Sequence, residues 1–324
     1  MRSRPRFLPD NFTLAMIATV IAASFFPSSG RGAVLFNDVT HIAVSLLFFL
    51  HGAKLSREAV IAGITHWRLH LLVLLCTFAL FPLLGLALKP LLMPLVTPDL
   101  YLGILFVCML PSTVQSSIAF TAAARGNVPA AMCSASASNL LGIFLTPLLV
   151  GLLTTAQMKG GSSLDSALQI CAQLLLPFVA GQVARRWIGA WVERNKMLTR
   201  LVDQGSILLV VYTAFSEAVG QGLWSQLSWQ TLGGLLLIDT ILLALVVTIS
   251  AQLARRLGFN REDRIAIVFC GSKKSMASGV PMAKVLFAGG ALGAVVLPLM
   301  LFHQLQLMLC AVLAQRYARR RISA

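Results

Sequence analysis

Of 324 residues, 57% are hydrophobic and only 11% are charged, and the mean hydropathy is strongly positive. That balance excludes an ordinary soluble domain. A net charge of +15 would suggest nucleic acid in a soluble protein, but no nucleic-acid partner is expected once the basic residues are placed about a lipid bilayer.

The N-terminal "MRSRPRF" followed by "TLAMIATVIAAS" has the layout of a signal peptide. Its apolar run continues into Phe25 and Phe26 without a clear small-residue cleavage site, so it is read as a retained first helix. Charge clusters and Pro/Gly punctuation divide the chain into ten apolar segments, predicted at 11–27, 36–53, 67–88, 100–124, 128–156, 165–188, 200–219, 230–254, 262–288 and 291–315. Several hold about twenty apolar residues, enough to cross ~30 Å of hydrocarbon. The expectation is an all-α integral membrane protein with ten transmembrane helices. Of the 26 Lys and Arg residues, Arg31, Lys89 and Lys159 then fall on one side, Lys273, Lys274 and Lys284 lie within segment nine, and the other twenty gather opposite. The positive-inside rule makes that richer side, with both termini, cytoplasmic. In a bacterial cell this is the inner membrane. The six cysteines stand apart in apolar surroundings with no CxxC pair, so neither a disulfide framework nor a zinc site is predicted.

The polar stretch "QMKGGSSLD" (157–165) lies near the midpoint, with five segments on each side. Five is odd, so a duplicated unit would insert in opposite orientations, as in many secondary transporters. The expected organisation is one transporter domain, 1–324, built from a first five-helix repeat at 1–160 and an inverted second repeat at 161–324.

Segments four and nine hold equivalent places and both are interrupted. Segment four reads "FVCMLPSTVQSSIAF": Pro111 disfavours helix just before it, and Ser112, Thr113, Gln115, Ser116 and Ser117 follow. Segment nine carries Ser272, Lys273, Lys274 and Ser275 among apolar residues, although one lysine at a membrane centre costs roughly 2.5–3.5 kcal/mol on insertion scales. Unwound backbone at that depth is tolerated where protein buries it or it lines a wet cavity, and paired breaks point to a transporter's binding site. Proline kinks with small residues for helix packing are the blander explanation. In segment five, Ser134 and Ser138 share a helix face with Asn139 adjacent; in segment ten, His303 and Gln306 lie one turn apart. These are candidates for the cavity wall, although serines at this spacing also serve close packing. Asp239 and Glu217 are the acidic residues well inside apolar stretches, and two placements stay open for each: pairing with a lysine of segment nine, or a position near an interface.

"LPSTVQSS", "ARGN", "SNLLGIFLTPLLV" and "GSKKSMASGVP", with "FFLHGAKLS" at 48–56, together resemble the bile acid:sodium symporter superfamily, solute carrier family 10. The branch resembled is that of bacterial proteins similar to the family's seventh human member. The resemblance covers nearly the whole chain. It implies two inverted five-helix repeats, with broken helices four and nine crossing in a core domain. Helices one, two, six and seven would form a panel, and the cavity would lie between panel and core. It also implies a candidate sodium ion near Ser116, Ser117, Ser138 and Asn139, with Ser134 close by. The chain departs from the family at the second break. Ser272 stands where sodium-coupled relatives keep a Glu, and Met276 and Ala277 replace a Gln-Asn pair. The lysines raise the alternative that an ammonium takes a sodium ion's place or changes protonation during transport, its neighbour meeting the anion. The competing reading is that one lysine snorkels to the interface.

The resulting expectation is a secondary active transporter of a small organic anion, sodium-coupled by family default, working by alternating access and needing no other cofactor. A proton-coupled or uncoupled carrier using Lys273 or Lys274 is the alternative, and a non-transporting regulatory membrane protein is the alternative class. An enzyme is not expected, because HExxH, clustered His and acidic residues, and a nucleophile motif are all missing.

Overall fold

The computed structural model describes residues 11–54, 66–155, 164–220, 228–287 and 292–319. The N-terminal "MRSRPRF", Arg57, Lys159 with most of the midpoint stretch, and Arg320 and Arg321 lie outside them.

All the regular elements among the described residues are helices. In chain order they are α1 (Asn11–Phe25), α2 (Gly30–Lys54), α3 (Trp67–Ala87) and, after a short turn at Lys89–Leu92, α4 (Pro98–Met109). Then come α5 (Val114–Ala123), α6 (Val128–Thr155), α7 (Leu164–Arg194), α8 (Lys196–Gly220) and α9 (Trp229–Arg256). α10 (Arg261–Gly271), α11 (Met276–Leu286) and α12 (Leu292–Arg319) complete the series. Among the described residues, α2, α3, α6, α9 and α12 are long and apolar enough to cross a bilayer, and the pair α4 and α5, bent by 63°, can make a sixth span. The chain is a multi-pass membrane protein.

Both expected breaks are present, between α4 and α5 at Pro111 and between α10 and α11 at Ser272–Ser275. Helix ends differ from the apolar pattern where polarity and helicity part company. α2 begins at Gly30 rather than 36, and α7 runs to Arg194 rather than 188. In α7 the charged Arg185, Arg186, Glu193 and Arg194 interrupt the hydrophobic run but are good helix formers, so the helix continues past it. The π turn at Cys76–Leu80 inside α3 carried no sequence signal.

α2 lies along α7, α8 packs on both α2 and α1, and these four form one group. At the α2–α7 contact Gly52 faces the backbone of Phe178, and Gly181 faces that of Phe49. A Cβ at either position would collide with a carbonyl oxygen, so glycine is required by close approach. The remaining helices form the second group. α4 packs on α12, α10 on α6 and α9, and α3 on α6 and α10, around a core that includes Phe81, Phe106 and Phe302. α8 meets the second group through α11 and α12, and α7 meets it through α6.

The "ARGN" motif has a local explanation. Arg125 adopts a left-handed turn at φ 60°, Gly126 lies against Ile265, and Asn127 ties the turn to the start of α10. Its Nδ2 donates to Asp263 at 2.7 Å and its backbone N–H to Glu262 O at 3.0 Å. Asn260 caps α10 by accepting from Asp263 N–H at 2.7 Å, with Glu262 and Asp263 in the first turn where the helix dipole favours acids.

Candidate functional site

A broken helix exposes carbonyls at the end of one half and N–H groups at the start of the next, and buried in a membrane protein these must be satisfied. Here the two breaks satisfy each other. At the end of α4, Cys108 O and Leu110 O accept from Lys274 Nζ at 2.7 Å each, and Met109 O accepts from Thr146 Oγ1 at 2.8 Å. Pro111 O accepts from Ser275 N–H at 2.7 Å. At the end of α10, Cys270 O accepts from Ser112 Oγ at 2.6 Å and Phe269 O from Ser117 Oγ at 3.3 Å. Ser272 folds back, its Oγ donating to Val268 O at 2.6 Å. Ser138 Oγ accepts from Ser112 N–H at 3.0 Å.

Lys274 is fully buried. Its third carbonyl, Thr77 O at 2.8 Å, comes from the π turn of α3, where the i+5 pattern frees a backbone acceptor. The ammonium also lies 4.1 Å from the Phe81 ring centroid. A cation at a helix C-terminus is favoured by the dipole as well as by the hydrogen bonds. Gln306 clamps the same residue: its Oε1 accepts from Lys274 N–H at 2.9 Å, and its Nε2 donates to Lys274 O at 3.0 Å and to His303 Nδ1 at 2.9 Å. Lys273 is equally buried but differently placed. Among the described residues its Nζ has no hydrogen-bond partner, and it rests 3.8 Å from the Phe120 ring centroid. Asp239 is buried with neither carboxylate oxygen hydrogen-bonded among the described residues, whereas the exposed Glu217 acts electrostatically on Lys284 of segment nine.

Between the two helix groups lies a cavity of about 480 Å³. That volume is in the range of small-molecule sites. One wall is made by the breaks: Thr113, Gln115 and Ser116 at the start of α5, Ser275 and Ser278 at the start of α11, and Asn139 of α6 beside them. Asn139 Oδ1 accepts from Ser278 Oγ at 2.7 Å, and Thr113 and Ser116 share a hydroxyl–hydroxyl bond. His303 of α12 joins this wall. The opposite wall belongs to α2 and α8 and carries His51, Lys54, Arg200 and Asp203.

The candidate residues therefore divide. Thr113, Gln115, Ser116, Asn139, Ser275 and His303 line the cavity, while Ser112, Ser117, Ser138, Ser272, Lys273, Lys274 and Gln306 lie behind it in the crossing. Ser134 lies elsewhere, hydrogen-bonded to His70 Nδ1 of α3 at 2.6 Å. The expectation that a lysine of segment nine faces the cavity does not match this placement. Both ammoniums are drawn into the crossing, one by backbone carbonyls and the other by an aromatic face. Sequence reasoning missed His51, Lys54, Arg200 and Asp203. "FFLHGAK" carried the signal for the first two, and the Arg-x-x-Asp spacing at 200–203, one turn of a helix, carried it for the others.

The family model described as the SBF-like CPA transporter family matches residues 10–319. The chain is 57% identical over 313 residues to "Putative symporter YfeH" of Escherichia coli (strain K12), covering 96% of this chain and 93% of that one. It is 32% identical over 323 residues to "Sodium/bile acid cotransporter 7" of Rattus norvegicus, covering 97% and 94%. To "Sodium/bile acid cotransporter 7-B" of Xenopus laevis it is 32% identical over 318 residues, covering 95% and 91%. The chain belongs to the SBF-like CPA transporter family, a family of transporters and not of enzymes.

Proposed function

We propose that this protein is a secondary active transporter that moves a small organic anion across the inner membrane by alternating access, with both termini in the cytoplasm. The observation that carries the reading is the cavity between the α1–α2–α7–α8 panel and the core that contains the two helix breaks. A solute held there touches both bodies, so their relative movement would carry it from one side to the other. The N-termini of α5 and α11 border the cavity, and each supplies about half a positive charge, which favours an anion over a cation.

Helix packing supports ten crossings and an inverted repeat. Exchanging segments one to five with six to ten turns the α1–α8 contact into α7–α2, α4–α12 into α10–α6, and α9–α12 into α3–α6, all of which are present. The basic residues favour the orientation: Lys54 ends α2, Arg194 ends α7, Arg255 and Arg256 end α9, and Arg316 and Arg319 end α12.

Coupling to sodium is the leading reading, since the names of the animal relatives attach sodium to those proteins. Ser116 and Asn139 are the oxygen donors of its suggested neighbourhood that face the cavity. At the crossing, Lys274 favours an alternative in which its ammonium, held by three carbonyls, acts as a tethered cation and replaces a mobile one. Uptake of an organic-anion panel into proteoliposomes under separate sodium and proton gradients tests both readings. Sodium-dependent accumulation supports the leading one; accumulation under a proton gradient alone supports the alternative. Absence of uptake under either gradient favours a non-transporting regulatory protein.

A further inference from the structure

The two walls of the cavity differ in charge. The side formed by the helix breaks offers hydroxyls, amides and an imidazole, whereas the side formed by α2 and α8 carries Lys54, Arg200 and Asp203, with His51 next to them. Lys54 Nζ is held by Asp203 Oδ2 at 2.6 Å, and both side chains keep some exposure, 31% and 23%. Arg200 precedes Asp203 by three residues on α8, yet among the described residues it has neither an ion pair nor a hydrogen bond. With His51 neutral, two cations and one carboxylate leave this lining with a surplus of one positive charge.

We propose that Arg200 is the anion-recognising residue of the cavity, the side chain that sets its preference for one negative charge. This rests on the carrier reading above and names the residue on which that carrier's charge preference depends. Lys273 and Lys274 are committed to the crossing, and Lys54 is committed to Asp203. Arg200 is the lining cation whose charge is available. A guanidinium presents a planar fork of donors that matches two oxygens of a carboxylate or sulfonate. The dipole of a half-helix supplies only about half a charge and no such fork. The same cavity also has apolar lining, with Leu47 and Phe48 of α2, Phe178 of α7, Ile207 of α8 and Ile143 of α6. One anionic group neutralises the surplus charge; a dianion reverses it, and an amine adds to it. An arginine that merely anchored the end of α8 at lipid headgroups would give the cavity no such preference.

The test uses the purified full chain in detergent and three probes with one apolar body: 4-phenylbutyrate, 4-phenylbutanol and 4-phenylbutylamine. Calorimetry is expected to rank the carboxylate about tenfold tighter than the alcohol, the size of one charge-assisted hydrogen bond at a partly solvated site, with the amine weakest. Arg200→Gln should bring the carboxylate down to the alcohol's affinity, Arg200→Lys should keep part of the difference, and Asp203→Asn should widen it by releasing Lys54. A carboxylate preference that survives Arg200→Gln overturns the proposal. So does wild-type protein that binds the alcohol or the amine as well as the carboxylate, or that binds none of the three. Proteoliposome uptake separates this from the parent reading. Anion uptake indifferent to Arg200→Gln sinks the recognition role alone, whereas an Arg200-dependent binding preference with no uptake under any gradient upholds the site and sinks the carrier.

Discussion

The side-chain amide of Gln306 brackets the peptide of Lys274, accepting from its N–H at 2.9 Å and donating to its carbonyl at 3.0 Å. Those two requirements fix which end of the amide is oxygen, and the remaining amide hydrogen goes to His303 Nδ1. A cavity-lining imidazole is thereby linked through one glutamine to the residue that closes the helix crossing. Gln306→Leu should cost about 2–4 kcal/mol, since it leaves two buried backbone groups unpaired. A fall in the unfolding midpoint in detergent, with Gln306→Glu intermediate because it restores only the acceptor, is the expected result.

The adjacent lysines should respond oppositely to the same substitution. Lys274→Met leaves Thr77 O, Cys108 O and Leu110 O without their donor and should destabilise by about 3–5 kcal/mol. Lys273→Met removes an ammonium that has no hydrogen-bond partner among the described residues and puts a thioether over Phe120. It should be neutral or stabilising by about 1 kcal/mol. Chemical denaturation of the two variants compares them directly.

Phe120 should couple to Lys273. The ammonium lies 3.8 Å from its ring centroid, and Phe120 also stacks on Phe269 at 6.0 Å. A double-mutant cycle of Lys273→Ala and Phe120→Leu should return a coupling of about 1–2 kcal/mol, the size of a desolvated cation–π contact.

Glycine substitutions in the four-helix panel should separate sharply. Gly52→Ala and Gly181→Ala drive a methyl group into backbone of the facing helix and should each cost about 2–3 kcal/mol or more. Gly205, on α8, has nothing within 4 Å of where a Cβ would stand. Gly205→Ala should leave stability unchanged or raise it by up to about 1 kcal/mol, as expected from helix propensity. Thermal unfolding of the three variants provides the check.

Much of this architecture was legible because membrane burial constrains sequence strongly. Pro111 and the polar run after it announced one helix break, and Gly271 to Ser275 announced the other. What sequence could not supply was the direction in which a long side chain turns. Two consecutive lysines differ by about 100° around a helix, and at a break even that rule lapses. Only the position of the α4 carbonyls explains why Lys274 turns away from the cavity. The π turn that frees Thr77 O left no mark in "LLCTFAL", an ordinary apolar helical run. The α2–α8 wall was overlooked for a different reason. Lys54 ends α2, and Arg200 and Asp203 lie within the first eight residues of α8, where basic residues are common under the positive-inside pattern. Nothing in one sequence distinguishes a lining arginine from an anchoring one.

The most direct test of the central claim is the initial rate of ion-gradient-driven organic-anion uptake into proteoliposomes by wild-type protein and by Ser116→Leu and Asn139→Leu. Both variants put apolar bulk into the cavity, and Ser134→Ala, away from it, serves as the control. Saturable, concentrative uptake that both leucine variants reduce by about tenfold or more, with the control near wild type, is the predicted result. Uptake that is unaffected by filling the cavity, or absent under every gradient, would contradict the account.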